Sequence, residues 1–320
     1  MRQLGLALGI VIFLCVATPC VTSAADICDR NCLIGIMNHY LDAVCKHDPS
    51  KAPLAPNYRS TENAVDVKPG TGMWMTATAL GEMQRRYADP VSKNVGYFGL
   101  IDENGNTALV SVRLKIEGQK ISEAEWTIAR KGATVFRPQG IVRFPPPKDP
   151  AGPEHRSSRE SMIAAADSYF SGIQGHDGNI VLAQPGCYRV ENGTWMVGAT
   201  PGHPLGSTGP VNASLAKGGD GVTASYFANS QCNSGFPKMM ELTEAVINRR
   251  YSIADEEAGI VVATVIFKRV PGATQNGVPF RWLYLTELFQ IENGRIRAIF
   301  AAMDSLPPEI QTSGWPDEKR

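Results

Sequence analysis

Two His-Asp pairs stand in matching surroundings, His47-Asp48 and His176-Asp177. A histidine beside a carboxylate can carry protons near neutral pH. Neighbours on a chain rarely face each other, however, and an Asp at a helix-to-turn junction ordinarily caps the next backbone segment. Two Arg pairs, Arg85-Arg86 and Arg249-Arg250, precede segments of strand character. Successive strand residues point to opposite faces, so one arginine of each pair should turn inward and need a carboxylate. Glu62 and Glu191 are candidate protein partners. Tyr58, Trp74, Tyr188 and Trp195 supply aromatic area suited to a ligand cavity or, equally, to a core. Glu123 and Glu125 alternate along one strand, and Asp304 closes another. The sequence holds no Gly-x-Ser-x-Gly elbow, phosphate-binding loop, dinucleotide fingerprint or His-Glu-x-x-His run. Hydrolase, nucleotide and metalloprotease chemistry therefore have no motif to rest on.

These residues recur because the chain repeats itself. Residues 37–63 and 166–192 match at an offset of 129, as from His47 to His176. Tyr40 answers Tyr169, Glu62-Asn63 answers Glu191-Asn192, and Trp74-Met75 answers Trp195-Met196 after an insertion. Tyr58-Arg59 pairs with Tyr188-Arg189 one residue out of step. A repeat of this length means two copies of one structural unit. Each copy opens with an amphipathic helix, predicted over 32–46 and 158–174, whose apolar residues recur at helical spacing. Ser157 to Glu160 reads as a capping box for the second. Brief helices are expected over 76–83 and 237–248. The rest of each copy is β, with hairpin turns at Asn104-Gly105 and Asn293-Gly294.

Between the copies, residues 133–155 are rich in proline and read as a stiff linker. Gly198–Gly221 is a long Gly- and Pro-rich loop, of the kind that forms lids, and Pro271–Pro279 is a second insertion. Both lie in copy two, which makes it the better candidate to carry a site, with Arg281 and Trp282 brought onto the next strand. Residues 306–320 read as a flexible tail. Residues 1–25 have the positive start, short apolar run and small-residue end of a signal peptide. The chain is then secreted or periplasmic, and disulfides become possible. Past the signal five cysteines remain: Cys28, Cys32, Cys45, Cys187 and Cys232. Cys187 with Cys232 is the expected pair, while the pairing among the other three stays open. No metal is expected, since no second ligand pair follows Cys28 and Cys32. With 31 basic and 31 acidic residues there is no footprint for nucleic acid, or for a membrane once the signal is gone. Nothing in the sequence bears on oligomeric state.

One helix, short helices and then long hairpin strands, with a helix-end His-Asp and a closing Ile-Glu-Asn-Gly-Arg-Ile turn, resembles the nuclear transport factor 2-like superfamily and its SnoaL-like branch. The Tyr-Arg…Glu-Asn stretches and Arg249–Gly259 are similar to an uncharacterised exported family with two such domains. The resemblance implies an α+β fold of two tandem cone-shaped domains at 28–132 and 156–305. Each would have a long N-terminal helix and short helices on a twisted antiparallel sheet. It implies a cofactor-independent lyase or isomerase acting on a small apolar molecule in the second-domain cavity. The alternative is a non-catalytic binding or interaction protein using the same cavity or the face between the two domains. Asp304 and His176 are the candidate proton-transfer groups, and Tyr188, Trp195, Arg250 and Trp282 the candidate ligand contacts. An inward-facing acid or base without a partner, inside a cavity of several hundred Å³, would favour the enzyme.

Overall fold

A computed structural model describes residues 28–149, 151–197, 231–233, 242–275 and 278–316. The signal segment and the Gly198–Gly221 loop lie outside the described residues, as does the start of the helix expected over 237–248.

The first unit comprises α1 (Arg30–Cys45), β1 (Leu54–Glu62), β2 (Val65–Val67), α2 (Met73–Thr76), β3 (Ala77–Asp89), β4 (Asn94–Glu103), β5 (Asn106–Glu117) and β6 (Lys120–Ala129). The connection carries α3 (Gln139–Arg143). The second unit comprises α4 (Arg159–Gly175), β7 (Ala183–Glu191), β8 (Thr194–Val197), β9 (Thr243–Asp255), β10 (Ile260–Arg269), the short β11 (Thr274–Gln275) and β12 (Val278–Pro279), β13 (Leu283–Glu292) and β14 (Arg295–Ser305). The two large sheets have the same order, β2-β1-β6-β5-β4-β3 and β8-β7-β14-β13-β10-β9. In each, one parallel pair (β1 with β6, β7 with β14) sits within antiparallel ladders. The α+β class holds, with few helices over two six-stranded sheets.

The repeated residues hold equivalent positions. His47 and His176 end α1 and α4 in the left-handed conformation, at φ 57° and 54°. Asp48 and Asp177 then cap one-turn 3₁₀ segments by accepting from Ser50 N and Asn179 N. Asn63 exchanges two hydrogen bonds with the backbone of Ile128, and Asn192 does the same with Met303. Each Asn thus takes the place of a strand residue where β1 or β7 ends. The helices α1 and α4 bury Tyr40 and Tyr169 against their own sheets.

Several expectations are corrected. Residues 77–89 and 243–255 are strands, not helices. Both are rich in helix formers, but pairing with β4 and β10 overrides that preference. The linker is packed rather than free. Ile141 is buried, Phe144 lies edge-on to Trp195 at 4.8 Å, and Tyr87 and Arg85 donate to the carbonyls of Pro147 and Pro146. The tail is held at least to Pro316. Trp315 is buried, donates to Thr61 Oγ1 at 2.9 Å and stacks under Arg59 at 4.1 Å.

The sheets of the two units pack face to face through one apolar cluster that includes Phe98, Leu100 and Leu109 from one and Ile253, Val262, Leu288 and Phe300 from the other. Gly96 permits the approach, since a Cβ there would meet Ile253 Cδ1 at 2.8 Å. Disulfides join Cys28 to Cys32 and Cys187 to Cys232, and Cys45 is free.

Candidate functional site

Comparing the two sheets strand by strand locates the difference between the units. β5 and β6 place Val112 opposite Trp126; β13 and β14 place Glu287 opposite Ala301. Both ladders slip at the same step, after Lys115 and after Gln290, so these pairs occupy equivalent sites. In the first unit Trp126 donates to Tyr40 Oη at 3.1 Å, Tyr58 Oη lies 3.1 Å from the same oxygen, and Trp74 lies edge-on to Tyr40. These rings fill the space under α1. In the second unit Trp126 becomes Ala301 and Val112 becomes Glu287, and a cavity of about 440 Å³ opens beside Tyr169.

The cavity has an apolar wall of Phe267, Leu283, Leu285 and Met303 and a polar set of Arg189, Glu191, Arg269 and Glu287. Arg189 is fully buried. Its Nη1 donates to Tyr169 Oη at 2.8 Å, and its Nε lies 2.6 Å from Glu191 Oε1, as an ion pair without hydrogen-bond alignment. Arg189 faces Ile299 across the parallel ladder as Ser60 faces Ala124. The two Tyr-Arg pairs are therefore alike in sequence but one residue apart in structure, and Cys187 takes the place of Tyr58.

Glu287 is 2 % exposed, and its Oε2 is buried without a hydrogen-bond partner. Burial raises its pKa to about 8; the nearby Arg189 acts against that shift and Glu191 with it. The carboxyl is thus mostly neutral at pH 7. Arg269 is 7 % exposed and donates through Nη1 to Thr243 Oγ1 at 2.5 Å, while its Nε has no partner. Its guanidinium lies 4.3 Å from the Phe280 ring centre. Burial lowers its pKa to about 10, against the field of Glu191, so it stays charged at neutral pH. A neutral acid facing empty space can give a proton to a ligand, and a cation with a free donor can hold an oxyanion.

The proton-transfer and ligand-contact candidates read from the sequence lie around this cavity but do not line it. Asp304 is half-buried on the opposite face of β14, where its Oδ1 accepts from Ser305 N; burial raises its pKa against that bond and the fields of Arg130 and Arg281. His176 Nε2 lies 3.3 Å from the carbonyl of Thr243, one residue contact away from Arg269. Tyr188 and Trp195 stack on each other at 4.4 Å under the connection between units. Arg250 is given over to Glu125 of the first unit, which also accepts from Tyr284 Oη and from Arg113 Nε at 2.9 Å. Of the Arg pairs, Arg86 and Arg249 face the helices, meeting Asn38 and Asp167, which are equivalent residues of α1 and α4. Trp282 borders a neighbouring depression with Phe280. Arg281 reaches the cavity rim beside Pro279 and Phe280, and Trp282 does not.

Glu287 and Arg269 are marked in the sequence by the pattern of their strands. Leu283, Leu285, Phe289 and Ile291 alternate with period two, and Glu287 occupies the same inward face. Arg269 ends the corresponding run Val261, Ala263, Val265 and Phe267 on β10. A charge on an otherwise apolar strand face marks either a pairing or a site.

A family model described as "Domain of unknown function (DUF8021)" matches residues 28–128 and 155–303. No curated protein matches the chain. Among solved structures, the chain is similar to an NTF2-like protein of unknown function from Cytophaga hutchinsonii. Identity is 12%, covering 31% of this chain and 92% of that one, with a TM-score of 0.26. So slight a likeness says nothing of activity.

Proposed function

The chain belongs to the DUF8021 family, and from that premise we propose that it is a lyase or isomerase that works by proton transfer on a small molecule held in the second unit. The single observation that carries this reading is Glu287, a neutral, buried acid with a free oxygen in a cavity of about 440 Å³. Glu287, rather than Asp304 or His176, is the group that transfers the proton. The units are read as nuclear transport factor 2-like domains of the SnoaL-like branch, the first filled by aromatic rings and serving as scaffold.

Protonated Glu287 gives its proton to a hydroxyl that departs as water, and the resulting carboxylate takes a proton from the adjacent carbon. A double bond forms and the acid is restored. Isomerisation starts with the same two transfers, the first proton going to a carbonyl oxygen to give an enol. The restored acid then protonates a different carbon, and its carboxylate takes back the proton of the enol hydroxyl. A pKa near 8 suits both directions, because acid and carboxylate forms are then close in energy at working pH. Arg269 is placed to hold an anionic group of the substrate at the other end of the cavity from Glu287.

The protein is read as acting outside the cytoplasm, secreted or periplasmic. Two disulfides are consistent with that, and no helix among the described residues is long and apolar enough to cross a membrane.

The test is proton exchange. A panel of β-hydroxy and α,β-unsaturated carbonyl compounds is incubated with protein in D2O and followed by proton NMR. Exchange or water loss with the wild type, lost in Glu287→Gln, is the expected result. Binding without exchange across the panel would instead identify a carrier or binding protein.

A further inference from the structure

We infer that the cavity takes an amphiphilic monoanion, its carboxylate on Arg269, its apolar body along Phe267 and Leu285, and its reacting end at Glu287. The inference rests on the proton-transfer reading for the role of that far end, but the anchor stands on separate observations.

The first is charge. Arg189 is matched by Glu191, and Glu287 is mostly neutral at pH 7. Arg269 has no carboxylate within ion-pair distance among the described residues, and its Nε has no acceptor although it is buried. Arg281 adds a second cation at the rim. The lining therefore carries net positive charge, and a buried guanidinium with an open donor is most stabilised by an anion. A planar carboxylate fits the free edge of the fork better than a point charge does.

The second is distance. Glu287 faces Ala263 across the β10–β13 ladder, and Arg269 lies six residues further along β10. At about 3.3 Å per residue their Cα atoms are about 20 Å apart, so about 10 Å of wall remains once both side chains reach inward. That wall is Phe267, Leu283, Leu285 and Met303, all apolar. A ligand spanning it needs an uncharged body of roughly six to eight bonds. Short hydroxy acids would leave one end empty.

Binding and exchange are measured together on matched probes: 4-phenylbutyrate, octanoate and 7-oxooctanoate, each beside its methyl ester. Isothermal titration reads affinity, and NMR in D2O reads exchange at the carbons flanking the ketone of 7-oxooctanoate, which lies at the end of the chain that reaches Glu287. We expect the acids to bind at least tenfold more tightly than the esters. Arg269→Met should erase that preference, and Glu287→Gln should keep it. Arg269→Lys, which preserves a cation should the Met variant fail to fold, should retain a reduced preference. Esters binding as well as acids to folded wild-type protein would overturn the anchor, whether or not exchange occurs. Acids that bind through Arg269 but show no exchange would leave the anchor standing and remove the proton-transfer reading. If no probe binds, the anchor is overturned.

Discussion

Asp89 and Asp255 are bound by each other's unit. Asp89, at the end of β3, accepts from Ala254 N at 2.9 Å and from Arg159 Nη1 at 2.6 Å. Asp255, at the end of β9, accepts from Ala88 N at 2.9 Å and from Arg30 Nη1. Arg30 and Arg159 open α1 and α4 at the repeat offset. The contact is therefore self-complementary, the form that a two-fold dimer interface takes, here between two halves of one chain. It joins the halves at the strand ends nearest their helices, with the shared apolar cluster beyond it.

Removing either carboxylate should weaken the chain to a similar degree. Both are 1 % exposed. Removing Asp89 leaves Arg159 and the N–H groups of Val91, Ser92 and Ala254 without it as acceptor. Removing Asp255 does the same to the N–H groups of Ala88 and Ala258, while Arg30 keeps Glu257 at 3.6 Å. Asp89→Ala and Asp255→Ala should each cost about 3 kcal/mol, by the usual loss from breaking a buried pair. Urea unfolding gives the measurement. A loss under 0.5 kcal/mol for either would show that the pairing is incidental to stability.

Much of this frame was legible in the sequence because the repeat is local. The His-Asp and Glu-Asn pairs recur where the backbone needs a left-handed cap, a 3₁₀ cap and a strand end, and these demands act within a few residues. The interface was not legible. Arg250 meets Glu125 across 125 positions, and nothing near either residue marks the other. The cavity was hidden for a related reason. It exists because Ala301 stands where Trp126 stands in the first unit, and that equivalence emerges only once the ladder register is known.

Glu125 should dominate the acid limb of stability. Although burial works against its charge, Arg250 and Arg113 outweigh burial and hold its pKa down to about 2. A depressed folded-state pKa contributes stability that is present above the unfolded value near 4.5 and is lost as pH falls through 2. The contribution is about 3 kcal/mol at neutral pH. Glu125→Gln should be less stable at pH 7 and show a flatter stability profile between pH 4.5 and 2. An acid limb unchanged in the variant would remove Glu125 from that role.

Glu287 should act with the opposite sign. Its folded-state pKa is raised to about 8, so its contribution is fully present below about pH 4.5 and is lost as pH rises through 8. Wild-type stability should therefore decline between pH 5 and 8 by about 4 kcal/mol from this group. Glu287→Gln keeps the shape without the charge and should remove that decline, leaving it the more stable form at pH 9. Parallel profiles for the two proteins would mean that the carboxyl is ionised in the folded state.

Filling the cavity should separate binding from folding. Ala301 stands beside Glu287 on the inner face, at the site that Trp126 occupies under α1. A larger side chain there would project toward Tyr169, as Trp126 does toward Tyr40. Ala301→Val adds little volume and should leave ligand affinity within about threefold. Ala301→Phe should take up much of the space next to Glu287 and reduce affinity for an eight-carbon acid at least tenfold. Overpacking should cost it about 1–3 kcal/mol. Because Arg269 lies at the far end, the shorter acid butyrate should lose less affinity than octanoate does. Titration of both acids against both variants, with melting curves as a control for folding, gives the comparison. Equal losses for the two acids, or none in the Phe variant, would mean that the ligand does not extend from Arg269 to Glu287.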